Sequence, residues 1–246
     1  MSAFIAEFFG TALLIVLGNG VVANVSLEKT GGHKGGWIVI TAGWAFAVFT
    51  AVSCTAQISG AHLNPAVTIG LAVNGQFEWE RIAGYIVAQI LGAVVGAVVV
   101  YAYYYDHYEA TPDADTKMST FCTSPAIRNL PFNFGCEVMG TLILVLAVLS
   151  FSSPEMSSPD QVRFKVGLGS LGAIHVAIVV FSIGLSLGGT TGYAINPARD
   201  LGPRLAHALL PIRGKRDSDW SYSFIPVFGP IVGAILAVGL YRLMRP

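Results

Sequence analysis

The feature that most limits the fold of this chain is that its sequence is written twice. Glu7-Phe8-Phe9-Gly10-Thr11 returns as Glu137-Val138-Met139-Gly140-Thr141 after 130 residues, and Asn64-Pro65-Ala66 returns as Asn196-Pro197-Ala198 after 132. Gly92-xxx-Gly96-Ala97 matches Gly229-xxx-Gly233-Ala234 after 137. Three markers in one order describe a duplicated unit, with copies over approximately 1–105 and 132–246 inside a single domain spanning 1–246.

What fills each copy is apolar. Hydrophobic residues make up 54% of the chain and charged residues 11%, against the roughly 25% charge of a soluble domain. A helix crossing a bilayer core needs about 20 mostly apolar residues. Six stretches qualify, at approximately 3–25, 37–57, 81–103, 132–152, 167–187 and 222–244. The first lacks a basic leader and is too long for the core of a cleaved signal, so it reads as a true span. Fourteen basic residues balance fourteen acidic ones, which leaves no excess to neutralise nucleic-acid phosphates. Cys54, Cys122 and Cys136 have neither metal nor disulfide-framework spacing and read as structural. The polar or Gly/Pro-rich pieces at 26–36, 106–131, 152–165 and 213–220 read as surface loops.

Two further apolar segments, Asn64 to Val73 and Asn196 to Leu210, are too short to span and each opens with Asn-Pro-Ala. They are candidates for re-entrant half-helices. The predicted fold class is therefore all-α integral membrane, with six transmembrane helices plus two half-helices. Each copy holds three spans, and an odd number forces the second copy to enter the bilayer from the opposite side. The half-helices then dip from opposite faces, and their starts can meet in the middle as a pore centre formed by Asn64, Pro65, Ala66, Asn196, Pro197 and Ala198.

Pro suits the first helical position and Asn caps it, so one triplet alone means only a helix start. Two at equivalent repeat positions mean more. Helix N-termini carry partial positive charge and exposed N–H groups, which repel cations and protons. If each Asn side chain is held by its own helix, its amide is left to donate to what passes, and a central water donating outward both ways breaks a proton wire.

The peptides before the half-helices must line an aqueous path or be buried in protein. The backbone of Gly60, Ala61, His62, Gly192 and Ala194 supplies candidate acceptors, and glycines at 60, 188, 189 and 192 suit extended or left-handed backbone. Arg199, inside an apolar segment, should face water as a fixed cation, with pairing to Asp200 a compatible role. Glu7 and Glu137 occupy matching positions early in a span and read as supports accepting hydrogen bonds from the loops, with proton relay as the alternative. His62 either lines the channel mouth or holds its loop, and His175 reads as a packing histidine. Gly92-xxx-Gly96 and Gly229-xxx-Gly233 permit close helix crossing.

His62-Leu63-Asn64-Pro65-Ala66-Val67-Thr68 and Asn196-Pro197-Ala198-Arg199-Asp200, set in a six-span repeat, closely resemble the aquaporin, or major intrinsic protein, family over nearly the whole chain. Asp200 after Arg199, together with Phe228-Gly229-Pro230-Ile231-Val232-Gly233, is similar to the glycerol-facilitator branch. The resemblance implies an aromatic/arginine selectivity filter at Trp44, Gly184, Tyr193 and Arg199, with Gly184 leaving room that strict water channels fill with His. Tyr193 departs from the Phe usual in that branch, and its hydroxyl can narrow or polarise the filter. Also implied are a homotetramer in the cell membrane, a constriction on the outer side and cytoplasmic termini. Loop charges alone argue the opposite orientation, since Lys29, Lys34, Lys117, Arg128, Arg213, Lys215 and Arg216 outnumber Arg81, Arg163, Lys165, Arg242 and Arg245.

The expected function is a passive channel for glycerol, other small neutral polyols and water, excluding protons and ions, with no cofactor, metal or nucleic-acid partner. A water-selective or ammonia/urea-permeable pore is the alternative within channels, and a coupled secondary transporter the alternative from another class. No nucleophile, base and orienter form a recognisable set, so an enzyme is not expected.

Overall fold

The computed structural model describes residues 1–152, 155–157 and 163–245. Six helices long and apolar enough to span a membrane are α1 (Ala3–Ser26), α2 (Trp37–Ser59), α4 (Ile82–Tyr103), α7 (Leu130–Ser150), α8 (Gly172–Leu187) and α10 (Phe224–Met244). Two short ones, α3 (Pro65–Val73) and α9 (Pro197–Leu209), begin at the Asn-Pro-Ala triplets. The outer surface is apolar, with Phe46, Leu91, Val99, Ile178 and Phe228 exposed, while Glu7, Gln89, Glu137 and Arg204 are buried. This reversal of the soluble pattern is what a hydrocarbon solvent selects, because polar groups must be satisfied inside the bundle. The chain is an integral membrane protein.

Packing repeats with the sequence. α1 lies between α2 and α4, as α7 lies between α8 and α10. α2 meets its counterpart α8 across the molecule, whereas α3 packs on α10 and α9 on α4, so each half-helix also rests on the last span of the other half. That exchange is what a pseudo-two-fold axis between α2 and α8 produces. The α1–α4 and α7–α10 crossings are set by glycine. A Cβ on Gly92 would stand 2.2 Å from the Phe8 carbonyl oxygen, and one on Gly233 would stand 2.3 Å from that of Val138.

Several sequence expectations are corrected. The segment expected as a loop from Asp106 to Pro131 carries α5 (Tyr105–Ala110) and α6 (Ala114–Ser119). Tyr108, Met118, Phe121 and Cys122 are buried there, because the Tyr108 ring packs on Tyr101 at 5.2 Å and the Phe121 ring on His207 at 5.3 Å. Asp113 caps α6 by accepting from the Thr116 N–H at 2.7 Å, and the Thr116 hydrogen bonds hold its carboxyl below the usual carboxylate range. The 152–165 loop contains a short antiparallel pair, β1 (Glu155–Ser157) with β2 (Arg163–Lys165). In 213–220, Ser218 and Asp219 are buried rather than at the surface. His175, at the first turn of α8, packs its ring on Phe151 at 5.3 Å but is exposed, its Nδ1 3.3 Å from the Gly172 carbonyl. All three cysteines are free.

Candidate functional site

Each half-helix is started by its asparagine. Asn64 Oδ1 accepts from the Ala66 N–H at 2.8 Å, and Asn196 Oδ1 accepts from the N–H groups of Ala198 at 3.0 Å and Arg199 at 3.2 Å. The amide nitrogens cross over. Asn64 Nδ2 donates to the Ile195 carbonyl and Asn196 Nδ2 to the Leu63 carbonyl, both at 2.8 Å. The two N-termini therefore meet and lock each other. Here the expectation of a free –NH₂ group is corrected: one N–H of each amide is committed to the opposite loop, leaving one to donate.

The loops themselves are held by the repeated carboxylates. Glu7 accepts from the N–H groups of His62 (3.0 Å) and Leu63 (2.7 Å), and Glu137 from those of Ala194 (3.0 Å) and Ile195 (2.8 Å). Because N–H and C=O of one peptide point oppositely, the carbonyls of Ala61, His62, Tyr193 and Ala194 face away from the carboxylates. All four residues line the central cavity. The glycine of each Glu-xx-Gly-Thr motif completes the unit, since a Cβ on Gly10 would stand 2.5 Å from Leu63 Cδ2 and one on Gly140 2.9 Å from Ile195 Cγ2. The motif thus supplies an acceptor for two N–H groups and space for the side chain preceding the Asn.

Left-handed backbone falls at Gly60 (φ 84°), Ala61 (50°) and Leu63 (51°), and again at Gly192 (77°), Tyr193 (36°) and Ile195 (41°). Gly188, expected to be extended or left-handed, is instead helical at φ −71°, and Gly189 is not among the positive-φ residues. A β-branched residue such as Ile195 at positive φ costs on the order of 1–3 kcal/mol, which the carboxylate hydrogen bonds offset.

Two cavities meet at this assembly. The central one, about 220 Å³, is lined by both asparagines, the loop residues before them, and apolar side chains including Leu14, Val48, Val67, Leu144 and Val180. A vestibule of about 340 Å³ is bounded by Ser119, Cys122 to Ala126, Trp37, Gly188, Gly189 and Gly192. Trp44, Tyr193 and Arg199 line both. They form the wall between the cavities. The Arg199 guanidinium carbon lies 4.2 Å from the centroid of the Trp44 ring, and its Nη1 and the Tyr193 hydroxyl are both buried without a partner. Among the described residues Arg199 forms no ion pair, because Asp200 is taken by Arg204 at 2.7 Å and by the Thr123 N–H at 2.7 Å.

Gly184, by contrast, lines neither cavity. The space beside it is already used: a Cβ there would stand 2.8 Å from Thr41 Cγ2 and 3.0 Å from Tyr193 Cζ. His62 takes both roles left open above, lining the central cavity while its Nδ1 lies 3.1 Å from Thr68 Oγ1.

With this geometry in view, the comparisons decide the family. The model of the major intrinsic protein family matches residues 1–241. The chain belongs to the major intrinsic protein family. Among relatives of this family member, a probable glycerol uptake facilitator protein of Thermotoga maritima is 55% identical over 98% of this chain and 99% of its own length. A glycerol uptake facilitator protein of Streptococcus pneumoniae is 48% identical over 99% of each. The aquaglyceroporin from Plasmodium falciparum superposes with a TM-score of 0.82 at 34% identity, covering 97% of this chain and 93% of that one.

Sequence reading missed several residues of this family member's site. Gln89 is buried and donates to both Glu7 (2.8 Å) and Thr68 (3.1 Å), and its place in an apolar run was the available signal. Arg204 is fully buried, donating to Asp200, to the Ser218 and Asp219 carbonyls and to the Thr123 carbonyl. A second arginine five residues after Arg199 in a membrane segment carried the same energetic warning. Cys122 also borders the vestibule, where burial pushes its thiol up to about 12.

Proposed function

We propose that this chain is a passive channel conducting glycerol and other small neutral polyols together with water, while excluding protons and ions. The observation that carries the reading is the wall shared by both cavities, in which two aromatic rings adjoin one unpaired guanidinium. A polyol has a C–H face and a hydroxyl face. The rings of Trp44 and Tyr193 suit the first, and the free Arg199 donor together with loop carbonyls suits the second. The central cavity continues the same mixture, lined by the loop residues and by apolar side chains such as Leu14, Val48 and Val180.

Ion exclusion follows from the same parts. Arg199 and two helix N-termini place positive charge along the path, and the loop carbonyls cannot complete a shell around a dehydrated cation. The remaining N–H of Asn64 and of Asn196 orients a central water as donor to both sides, which interrupts proton hopping.

In this reading the filter is Trp44, Tyr193 and Arg199 with Gly184 behind Tyr193, the vestibule faces outward, the termini are cytoplasmic and four copies assemble, each with its own pore in the lipid bilayer. Four of the seven loop charges that argued otherwise have close structural partners. Lys117 donates to the Arg213 carbonyl, Lys215 to the carbonyls of His207, Ala208 and Leu210 at the end of α9, Arg128 pairs with Asp219 and Arg216 with Asp115. They stitch a cap, which supports treating their number as a structural demand.

Stopped-flow light scattering on proteoliposomes tests the function. Glycerol re-swelling well above the rate of empty liposomes, linear in gradient and indifferent to a proton or sodium gradient, is expected. Water flux without glycerol uptake, or saturable proton-driven uptake, would overturn it.

A further inference from the structure

The two filter rings are seated on glycines, and the seats lie at a definite level of the pore. On α1, Leu14 lines the central cavity and Val22 lines the vestibule. Gly18 stands one helical turn from each on the same face, at the level of the wall between the cavities. It lines neither because Trp44 covers it. A Cβ on Gly18 would stand 2.3 Å from Trp44 Cζ3 and 2.5 Å from Cε3 and Cη2.

α8 repeats the arrangement for the other ring. Val180 lines the central cavity and Gly188 the vestibule, with Gly184 midway. The Tyr193 ring lies along this groove: a Cβ on Gly188 would stand 2.4 Å from Tyr193 Cδ1, and one on Gly184 would stand 3.0 Å from Cζ. Trp37 closes the groove, its ring centroid 5.8 Å from that of Tyr193 and its Nε1 donating to the Gly184 carbonyl at 2.8 Å.

We infer that Gly18 and Gly188 are positioning residues of the selectivity filter, which set its width by letting the Trp44 and Tyr193 rings recede onto α1 and α8. This rests on the polyol-channel reading above. A methyl group at either site has no space behind the ring, so the ring moves toward Arg199 and the lumen narrows from that side. Both glycines are helical in an ordinary right-handed region, so alanine is compatible with the backbone dihedrals. At Gly18 the three nearest atoms all belong to the Trp44 ring, whereas at Gly188 the methyl also meets the Gly184 carbonyl oxygen at 2.7 Å and Trp37 Cζ2 at 2.9 Å, so the double variant with Tyr193→Ala isolates the ring's share.

The test is the ratio of glycerol to water permeability in proteoliposomes of the native chain, Gly18→Ala and Gly188→Ala, with Gly18→Ala/Trp44→Ala and Gly188→Ala/Tyr193→Ala as partners. Each single variant is expected to lower glycerol permeability about tenfold, the scale of one methyl group in a fitted pocket, with glycerol recovered in each double variant. Water permeability is expected to stay within about twofold, because water passes a narrower lumen. Native glycerol flux in both single variants overturns the inference while leaving the channel reading intact. So does a parallel loss of water and glycerol that the double variants do not repair. Absence of glycerol flux in the native chain instead strikes the channel reading itself.

Discussion

The two loops that precede the half-helices share a left-handed backbone pattern and differ in their anchors. In the first half, Glu7 accepts from Ser59 Oγ, the N–H groups of His62 and Leu63, and Gln89 Nε2. In the second, Glu137 accepts from Thr191 Oγ1 and the N–H groups of Ala194 and Ile195. No glutamine stands at the position equivalent to Gln89. Counting 137 residues on from Gln89 reaches Pro226, although the same step carries Tyr85 to Tyr222. Counting 132 back from Asp200 reaches Thr68. Where the first half has an uncharged Thr68–Gln89 link to its carboxylate, the second has Asp200, whose bonds run to Arg204 and to Thr123 of the segment between the repeats. Both loops thus hang from a carboxylate of their own half, and the half that carries Arg199 is tied in addition to a cap.

Breaking that cap is expected to have the largest effect. Arg204 is fully buried with five polar contacts, so Arg204→Leu strands the Asp200 carboxylate. A loss of about 3–5 kcal/mol is expected, read as a lower unfolding temperature in detergent. Asp200→Leu/Arg204→Leu should be milder, because no charge is left unpaired. If Arg204→Leu unfolds like the native chain, the second loop does not depend on the cap and the contrast fails.

A smaller effect separates the two carboxylates. Glu7→Gln and Glu137→Gln each replace one acceptor oxygen by an –NH₂ group, and each unsatisfied buried donor costs about 1–3 kcal/mol. Glu7 has the additional Gln89 donor, so Glu7→Gln is expected to lower the unfolding temperature more. Both variants, once folded, should keep passive glycerol and water flux. Loss of flux with unchanged stability would point to a proton-relay role and sink the supporting one.

The contrast also explains what could be read in advance. Spans, half-helices and inversion were legible because bilayer thickness fixes helix length and the repeat markers lie at backbone-critical points: Glu7 and Glu137 on two N–H groups, Gly10 and Gly140 beneath Leu63 and Ile195. The comparisons bear out the fold and the family. The cap was not legible, because Tyr108, Met118 and Phe121 are scattered through a polar segment and gain meaning only against α4 and α9. Positive φ at Ala61, Leu63, Tyr193 and Ile195 left no mark either, since the strain is relieved by hydrogen bonds from residues far away in sequence. The glycine seats of Trp44 and Tyr193 were hidden by the same distance, as Gly18 and Gly188 look like ordinary membrane-helix glycines until the rings are placed.

Tyr193 yields the smallest and most discriminating change. Its ring fills the α8 groove, but its hydroxyl, which flanks the position of a Gly184 Cβ at 3.1 Å, is buried and without a partner. If the ring sets the width of the lumen, Tyr193→Phe keeps the seat and removes only that orphan hydroxyl. The expected outcome is a gain of up to about 1 kcal/mol in stability, from relief of an unsatisfied buried group, with a glycerol-to-water permeability ratio within about twofold of native. A much larger rise in that ratio would mean that the hydroxyl itself projects into the path and that the second half filters by a polar obstruction as well as by ring position.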